Sequence, residues 1–210
     1  MAFLLFAAGC SAGETVDTTA AATTTPAAEE TTTTEAAITV EPSGGGDLRI
    51  VVPSEPRSMH RDVDNNRSSV GINRTMVEPL SEVSDDGFAP GTEGLITAWE
   101  QIDDLTWQFT LRDGVMFHNG EEFNAEVAAY NVVRSRDDAT GATAPYFSLI
   151  DDARAIDATT LEVTTTAPAP YVPALMMIVD AFPPVHYQEV GPEAFGRAPV
   201  GTVAFVFDEW

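Results

Sequence analysis

Lysine is absent from this 210-residue chain, and all ten of its basic side chains are arginine. That absence removes the phosphate-cradling loop whose lysine reaches the terminal phosphates, and with it every Schiff-base or pyridoxal-type attachment. Positive charge is scarce altogether. The 33 acidic residues leave a formal net charge of −23, whereas binding a phosphate backbone requires clustered cations, so nucleic acid is excluded as a partner. The one cysteine, Cys10, allows neither an intrachain disulfide nor a CxxC motif. Histidine is limited to His60, His118 and His186, none of them in an HxH or HExxH pair, so no metal site and no cofactor is expected. There is no GxSxG elbow. Acidic neighbours such as Asp103-Asp104 and Glu121-Glu122 diverge on any helix or strand, which spoils them as a glycosidase pair. They read as solvated turn residues, and the chain reads as something other than an enzyme.

Long hydrophobic runs are also missing. The apolar stretch Met1–Gly9 is far shorter than the roughly 20 residues a membrane-spanning helix requires. It ends in small residues directly before Cys10, as the close of a bacterial lipoprotein signal does, although the basic start of such a signal is missing. Residues 1–10 are therefore expected to be a signal remnant with Cys10 as the lipidated residue, the true start lying further upstream. Residues 11–46 are a Thr/Ala/Glu tract ending in Gly44-Gly45-Gly46. Such a tract buries too little apolar surface to offset its ordering entropy and is expected to be a disordered tether, with a root-mean-square span of about 30–36 Å.

Folded sequence is expected from Asp47. Leu48–Val52 reads as a short strand closed by Pro53 and Pro56, and 66–78 as a helix stopping before Pro79. Asp85-Asp86-Gly87 signals a turn. Leu105–Leu111 alternates strictly, with Leu105, Trp107, Phe109 and Leu111 on one face, and predicts a half-buried strand. Thr97–Ile102 is its expected partner, and Val115–His118 is expected as a third strand after the turn at Asp113-Gly114. After a further turn at Asn119-Gly120, Asn124 is placed to cap a helix running to about Arg134, with Glu126 in its first turn. A second pair of strands is expected at Ala153–Ile156 and Thr160–Thr165, then short helices around Ala174–Ile178 and from Gly191, and a last strand in Val203–Trp210. His118, beside a glycine turn, reads as a structural hydrogen-bonder, and His60 as a solvated loop residue.

Several of these segments, in order, resemble the extracellular solute-binding proteins of family 5, the oligopeptide-, dipeptide- and nickel-binding components of ABC importers. Leu48-Arg-Ile-Val-Val with Pro56-Arg-Ser-Met is similar to the family's first strand and turn, and Glu78-Pro-Leu80 with Asp86-Gly87 and Pro90 to its next segment. The run from Ala98-Trp99-Glu100 through Asp103–Gly120 resembles the family signature almost throughout, and Pro199-Val-Gly-Thr202 its closing element. The chain departs from the family pattern at His60 and Arg61, where an acidic residue and a proline are usual, and at Val203-Ala204, where Gly-Pro is usual.

The resemblance implies an α/β fold of the type II periplasmic-binding-protein kind, here a partial first lobe: a mixed sheet with an attached α+β subdomain. Residues 47–210 would be the N-terminal part of the family domain, with 47–80 and 186–210 in the main sheet, 81–185 in the subdomain, and the second lobe absent. It implies capture of a small peptide or related solute outside the cytoplasm, delivery to ABC permease subunits, and attachment to the bacterial membrane through the lipid anchor. Ser58, Met59 and His60 are the expected ligand-facing residues. The alternatives are an envelope-anchored interaction or structural protein without a small ligand, or a non-functional truncated product. One expectation is testable from the sequence alone. In a lipoprotein-processing host the chain should take up a clickable fatty-acid label and Cys10→Ser should not, whereas equal labelling of both would contradict the anchor.

Overall fold

The computed structural model describes residues 46, 49–85, 87, 89–137 and 144–210. The signal segment, Cys10 and nearly all of the tether therefore lie outside the described residues, as does Leu48. Within Arg49–Trp210 the alternating run sets the architecture. Strand β2 (Thr106–Leu111) buries Trp107, Phe109 and Leu111 and turns its intervening residues to the opposite face. It pairs antiparallel with β1 (Ile96–Asp103) through a tight turn at Asp104-Leu105. The second expected pair forms as β3 (Ile150–Ala155) and β4 (Thr160–Thr165), turned by Asp157, whose carboxylate accepts from Thr159 N at 2.8 Å.

The two hairpins merge. β2 also pairs antiparallel with β4, giving one four-stranded sheet of order β1-β2-β4-β3. Its buried face carries Trp107, Phe109, Leu111, Leu161 and Val163. On the other face Gln108 and Arg154 flank Glu162 in register, donating to its carboxylate at 3.1 and 2.6 Å. The Gln108 bond foremost, then Arg154, holds that carboxyl below its ordinary range.

Helix α2 (Ala125–Asp137) follows the expected cap: Val127 N donates to Asn124 Oδ1 at 3.1 Å. Ala125, Ala128, Ala129 and Val132 fall on one face at helical spacing and are buried against β3 and β4. Small side chains on that face let the helix lie close to the sheet. Helix α1 (Arg67–Asn73) is shorter than the expected 66–78. It is capped by Asn66 and ends in a tight turn where Thr75 Oγ1 donates to Ile72 O at 2.7 Å, which sends Met76 and Val77 into a second apolar cluster with Met59, Phe182 and Phe195. Helix α3 (Val172–Leu175) continues as a 3-10 turn through Ile178, as expected. Helix α4 (Pro184–Phe195) begins before the expected start at Gly191. Gly191, at φ 78°, followed by Pro192, is instead the kink within it.

Three expected strands do not form. Val115–His118 contributes only an isolated bridge between Met116 and Glu122, because the turn at Gly120 (φ 87°) brings the chain back after too few residues for a ladder. Arg49–Val52 and Val203–Trp210 have strand-like composition, but among the described residues no neighbour runs alongside to take their hydrogen bonds, and Val51 is 95% exposed. The observed sheet thus lies wholly in the 81–185 stretch, the attached subdomain of the expectation. Phe109 lies at the centre of its core, 1% exposed. Phe109→Ala should cost about 3–5 kcal/mol in urea unfolding, and Thr110→Ala on the exposed face should change stability by no more than about 0.5 kcal/mol.

Candidate functional site

The stretch from Arg57 to Asp64 is a loop because Pro53 and Pro56 remove backbone donors from its approach and side chains replace backbone partners within it. Asp64 gathers the loop. It accepts from Arg57 N at 2.8 Å, from the Ser69 hydroxyl at 2.7 Å and from Asn66 Nδ2 at 2.6 Å. Asn66 Oδ1 in turn accepts from Ser68 N and Ser69 N, capping α1. Burial pushes the Asp64 carboxyl up, but these donors, Ser69 foremost, outweigh it and hold the group at about 2.

Behind the loop lies a cluster of buried charge. Arg61 lies 3.4 Å from Asp180 and donates to Met177 O at 3.2 Å, and Asn73 Nδ2 donates to the other Asp180 oxygen at 2.8 Å. Arg134 of α2 pairs with Asp62 at 2.7 Å, its guanidinium 4.5 Å over the Phe182 ring and 5.5 Å over that of Tyr187. Asn131, one turn earlier, straddles the Phe182 backbone, donating to its carbonyl at 2.9 Å and accepting from its N–H at 3.3 Å. The cluster joins the loop, α1, α2 and the 177–182 segment. Burial raises the Asp180 carboxyl, helped by the nearby Asp62 charge and opposed by Arg61, Arg134 and Arg74.

A second junction joins the segments that carry the family resemblance. Glu78-Pro-Leu80 runs antiparallel to 179–181, with Leu80 N donating to Val179 O and Ala181 N to Glu78 O. The Glu78 carboxylate accepts from the Thr202 hydroxyl at 3.0 Å and lies 3.7 Å from Arg112. Burial nonetheless raises it above the ordinary range. Gly201 packs against Met76 and Val77 so closely that a Cβ would come within 2.7 Å of Val77 Cα and collide with the Met76 carbonyl. His118 grips the same loop: its backbone N–H donates to Gly201 O at 2.9 Å and its Nε2 to Val203 O at 2.6 Å, the structural role expected of it.

The structure places the expected site residues unevenly. Ser58, Met59 and His60 are all buried. For His60 this corrects the solvated reading. Its ring has no exposed surface, sits edge-on 5.0 Å from Phe182, and meets the Tyr187 hydroxyl at 2.8 Å through Nε2, while Nδ1 accepts from Asp62 N at 3.2 Å. Met59 N donates to Gly196 O at 2.8 Å, and Gly196 leaves no room for a side chain beside the Ser58 hydroxyl. Of the three, Ser58 also lines a hollow of about 270 Å3, with Arg57, Val63, Pro192, Glu193 and Arg197.

Sequence reasoning missed Glu121. Read as a solvated turn residue, it caps α4, its two carboxylate oxygens accepting from Val185 N and His186 N at 3.0 Å each. Its partners are more than sixty residues away, so no local pattern could have shown this. Among the described residues no group of three or more histidine, cysteine or acidic side chains could hold a metal ion, and no helix is long and apolar enough to cross a membrane.

A family model, "Bacterial extracellular solute-binding proteins, family 5 Middle", matches residues 92–210. The chain belongs to family 5 of the bacterial extracellular solute-binding proteins. It is 32% identical over 142 residues to the nickel-binding periplasmic protein of Escherichia coli K12, covering 63% of this chain and 26% of that protein. It is 34% identical over 88 residues to the oligopeptide-binding protein OppA of Bacillus subtilis, covering 41% and 16%. Among solved structures, the oligopeptide-binding protein AppA of B. subtilis, in complex with a nonapeptide, superposes with a TM-score of 0.66 at 16% identity, covering 74% of this chain and 32% of that one. The nickel-binding NikZ of Campylobacter jejuni gives 0.63 at 18%, covering 75% and 32%. The fold is thus part of a type II periplasmic binding protein. This family 5 chain spans about a quarter, or less, of the curated relatives it matches.

The titration of the site has a defined sign. Asp64 holds its proton less tightly in the folded state, so its stabilisation is complete above the ordinary 3.8 and vanishes as pH falls through about 2. Glu78 and Asp180, raised by burial, act in the opposite sense: their contribution is complete at low pH and is lost as pH rises through their folded values. In urea unfolding, Asp64→Asn should lose most relative to wild type above pH 3.8, with the gap closing towards pH 2. A gap independent of pH would show that Asp64 is not held as described.

Proposed function

We propose that this chain is the solute-capturing part of an ABC importer, taking a small peptide or a related solute outside the cytoplasm and passing it to permease subunits. Cys10 carries a lipid that holds the protein to the bacterial cell membrane, residues 11–46 act as the tether, and 47–210 contribute to the binding lobe. The observation that carries this reading is the convergence of the family's segments. Glu78-Pro-Leu80, the block through Gly120 (by way of its His118) and Pro199–Thr202 all meet around Gly201. In such proteins two lobes close on a solute and the closed form is the one the permease receives, so ligand affinity biases a hinge. Binding is the whole of the chemistry.

The nickel-binding and oligopeptide-binding relatives name two solute classes, and we take the second as the reading to test, since peptides are held largely through polar and water-bridged contacts that tolerate varied side chains. Within the expected trio, Ser58 is the ligand-facing member, and Met59 and His60 hold its loop from beneath. Calorimetric titration of the protein with a mixed pool of di- to pentapeptides, and separately with a nickel–histidine complex, tests the proposal. Saturable heat with the peptide pool is the expected result. No heat and no thermal shift with either would overturn it.

A further inference from the structure

The hollow beside Ser58 has a charge pattern that the rest of the chain makes unusual. Ten arginines serve a chain with 33 acidic residues, and most of them are spent in ion pairs: Arg61 with Asp180, Arg74 with Glu82, Arg112 with Glu78, Arg134 with Asp62, Arg136 with Asp137 and Arg154 with Glu162. Two of the remainder, Arg57 and Arg197, line this one hollow together with a single acid, Glu193.

Neither cation is tied down by a strong partner. The Arg57 side chain is 83% exposed and approaches Asp64 only at 3.9 Å, and Asp64 is already satisfied by Ser69, Asn66 and the Arg57 backbone. An exposed pair at that distance is worth little. Arg197 lies with its guanidinium 4.5 Å over the Trp210 ring, which positions the group without neutralising it. The walls, by contrast, are rigid. Met59 N bonds to Gly196 O, the Ser58 hydroxyl is wedged against Gly196 and accepts from His60 N at 3.0 Å, and Pro192 follows the kink at Gly191. A backbone frame held in this way needs no rearrangement to receive a small polar ligand, and the ordering left to oppose binding is that of the two arginine side chains.

We propose that this hollow binds a free acidic α-amino acid, with its two carboxylates on Arg57 and Arg197 and its ammonium on Glu193. The charges match one for one, guanidinium groups suit carboxylates through paired N–H donors, and about 270 Å3 suits one amino-acid unit rather than the larger ligands that fill pockets of roughly 300–1,000 Å3. The Ser58 hydroxyl lies at the wall as a further polar contact. This deepens the solute-capture reading and rests on it.

Calorimetry on the full chain at low ionic strength, with tryptophan fluorescence compared between wild type and Trp210→Phe as a second readout, provides the test, and the probes are L-glutamate, glutarate, L-glutamine and the dipeptide Glu-Ala. Glutamate should saturate and bind about tenfold more tightly than glutarate or glutamine, each lacking one charge. Arg57→Gln and Arg197→Gln should each weaken glutamate about tenfold, and Glu193→Gln should erase its advantage over glutarate. Arg67→Gln, at an exposed arginine of α1 without an ion pair among the described residues, should change nothing. Glu-Ala, whose Glu α-carboxyl is taken up in the peptide bond, should likewise bind about tenfold more weakly than glutamate, and binding as tight as that of glutamate would overturn the two-carboxylate assignment. No saturation by any probe, or equal weakening by Arg67→Gln, overturns the inference. If the peptide pool still binds in that case, solute capture stands without it, and if the pool fails too, both fall.

Discussion

The buried pairing of Arg134 with Asp62, and of Arg61 with Asp180, is the constraint on which the rest of this chain depends. A loop with prolines on its approach and no backbone ladder has little to hold it in one conformation. Here it is held by charge: Asp62 reaches α2, Arg61 reaches the 177–182 segment, and Asn73 of α1 completes the shell around Asp180. Such clusters are not free stabilisation. Desolvating the ions offsets much of their attraction, but removing one partner strands the other, which is the more costly state. The cluster therefore specifies an arrangement more than it deepens the energy well. It sets where Ser58 sits relative to Gly196, and so fixes the wall of the hollow.

The family segments contribute a second layer of the same logic. Gly201 has no room for a side chain, Thr202 satisfies a buried carboxylate on Glu78, and His118 uses its backbone and its ring to hold the same loop. Residues separated by more than a hundred positions are required by one another's geometry. That explains why the signature reads as several short pieces in the sequence and as one junction in space.

What the sequence disclosed follows from the range of the forces involved. The alternation in Leu105–Leu111, the Asn124 cap and the glycine turns at 87, 114 and 120 are local, and they emerge as expected. Arg49–Val52 and Val203–Trp210 have the composition of strands, yet a strand exists only through its neighbour, and composition cannot supply one. The site was harder to read for the same reason. His60 and Arg61 depart from the family pattern and looked like loop residues, and their partners, Tyr187 and Asp180, lie more than a hundred residues away. The two departures sit together in the cluster, where they tie the loop to α4 and to the 177–182 segment. Glu121 was legible only as an acid at a turn until the start of α4 was seen beside it.

Acidity overall and arginine placement are then two sides of one distribution. With so few cations, the buried pairs of Arg61 and Arg134 mark structural joints, and Arg57 and Arg197, which line the hollow, mark a candidate contact with solute. Whether the joint comes first can be measured by a double-mutant cycle on Asp62 and Arg134, using Asp62→Leu, Arg134→Met and the double variant in urea unfolding. A coupling of at least about 1.5 kcal/mol is expected, with the double variant less damaged than the sum of the singles. Additive losses within about 0.5 kcal/mol would show that the pair does not hold the loop.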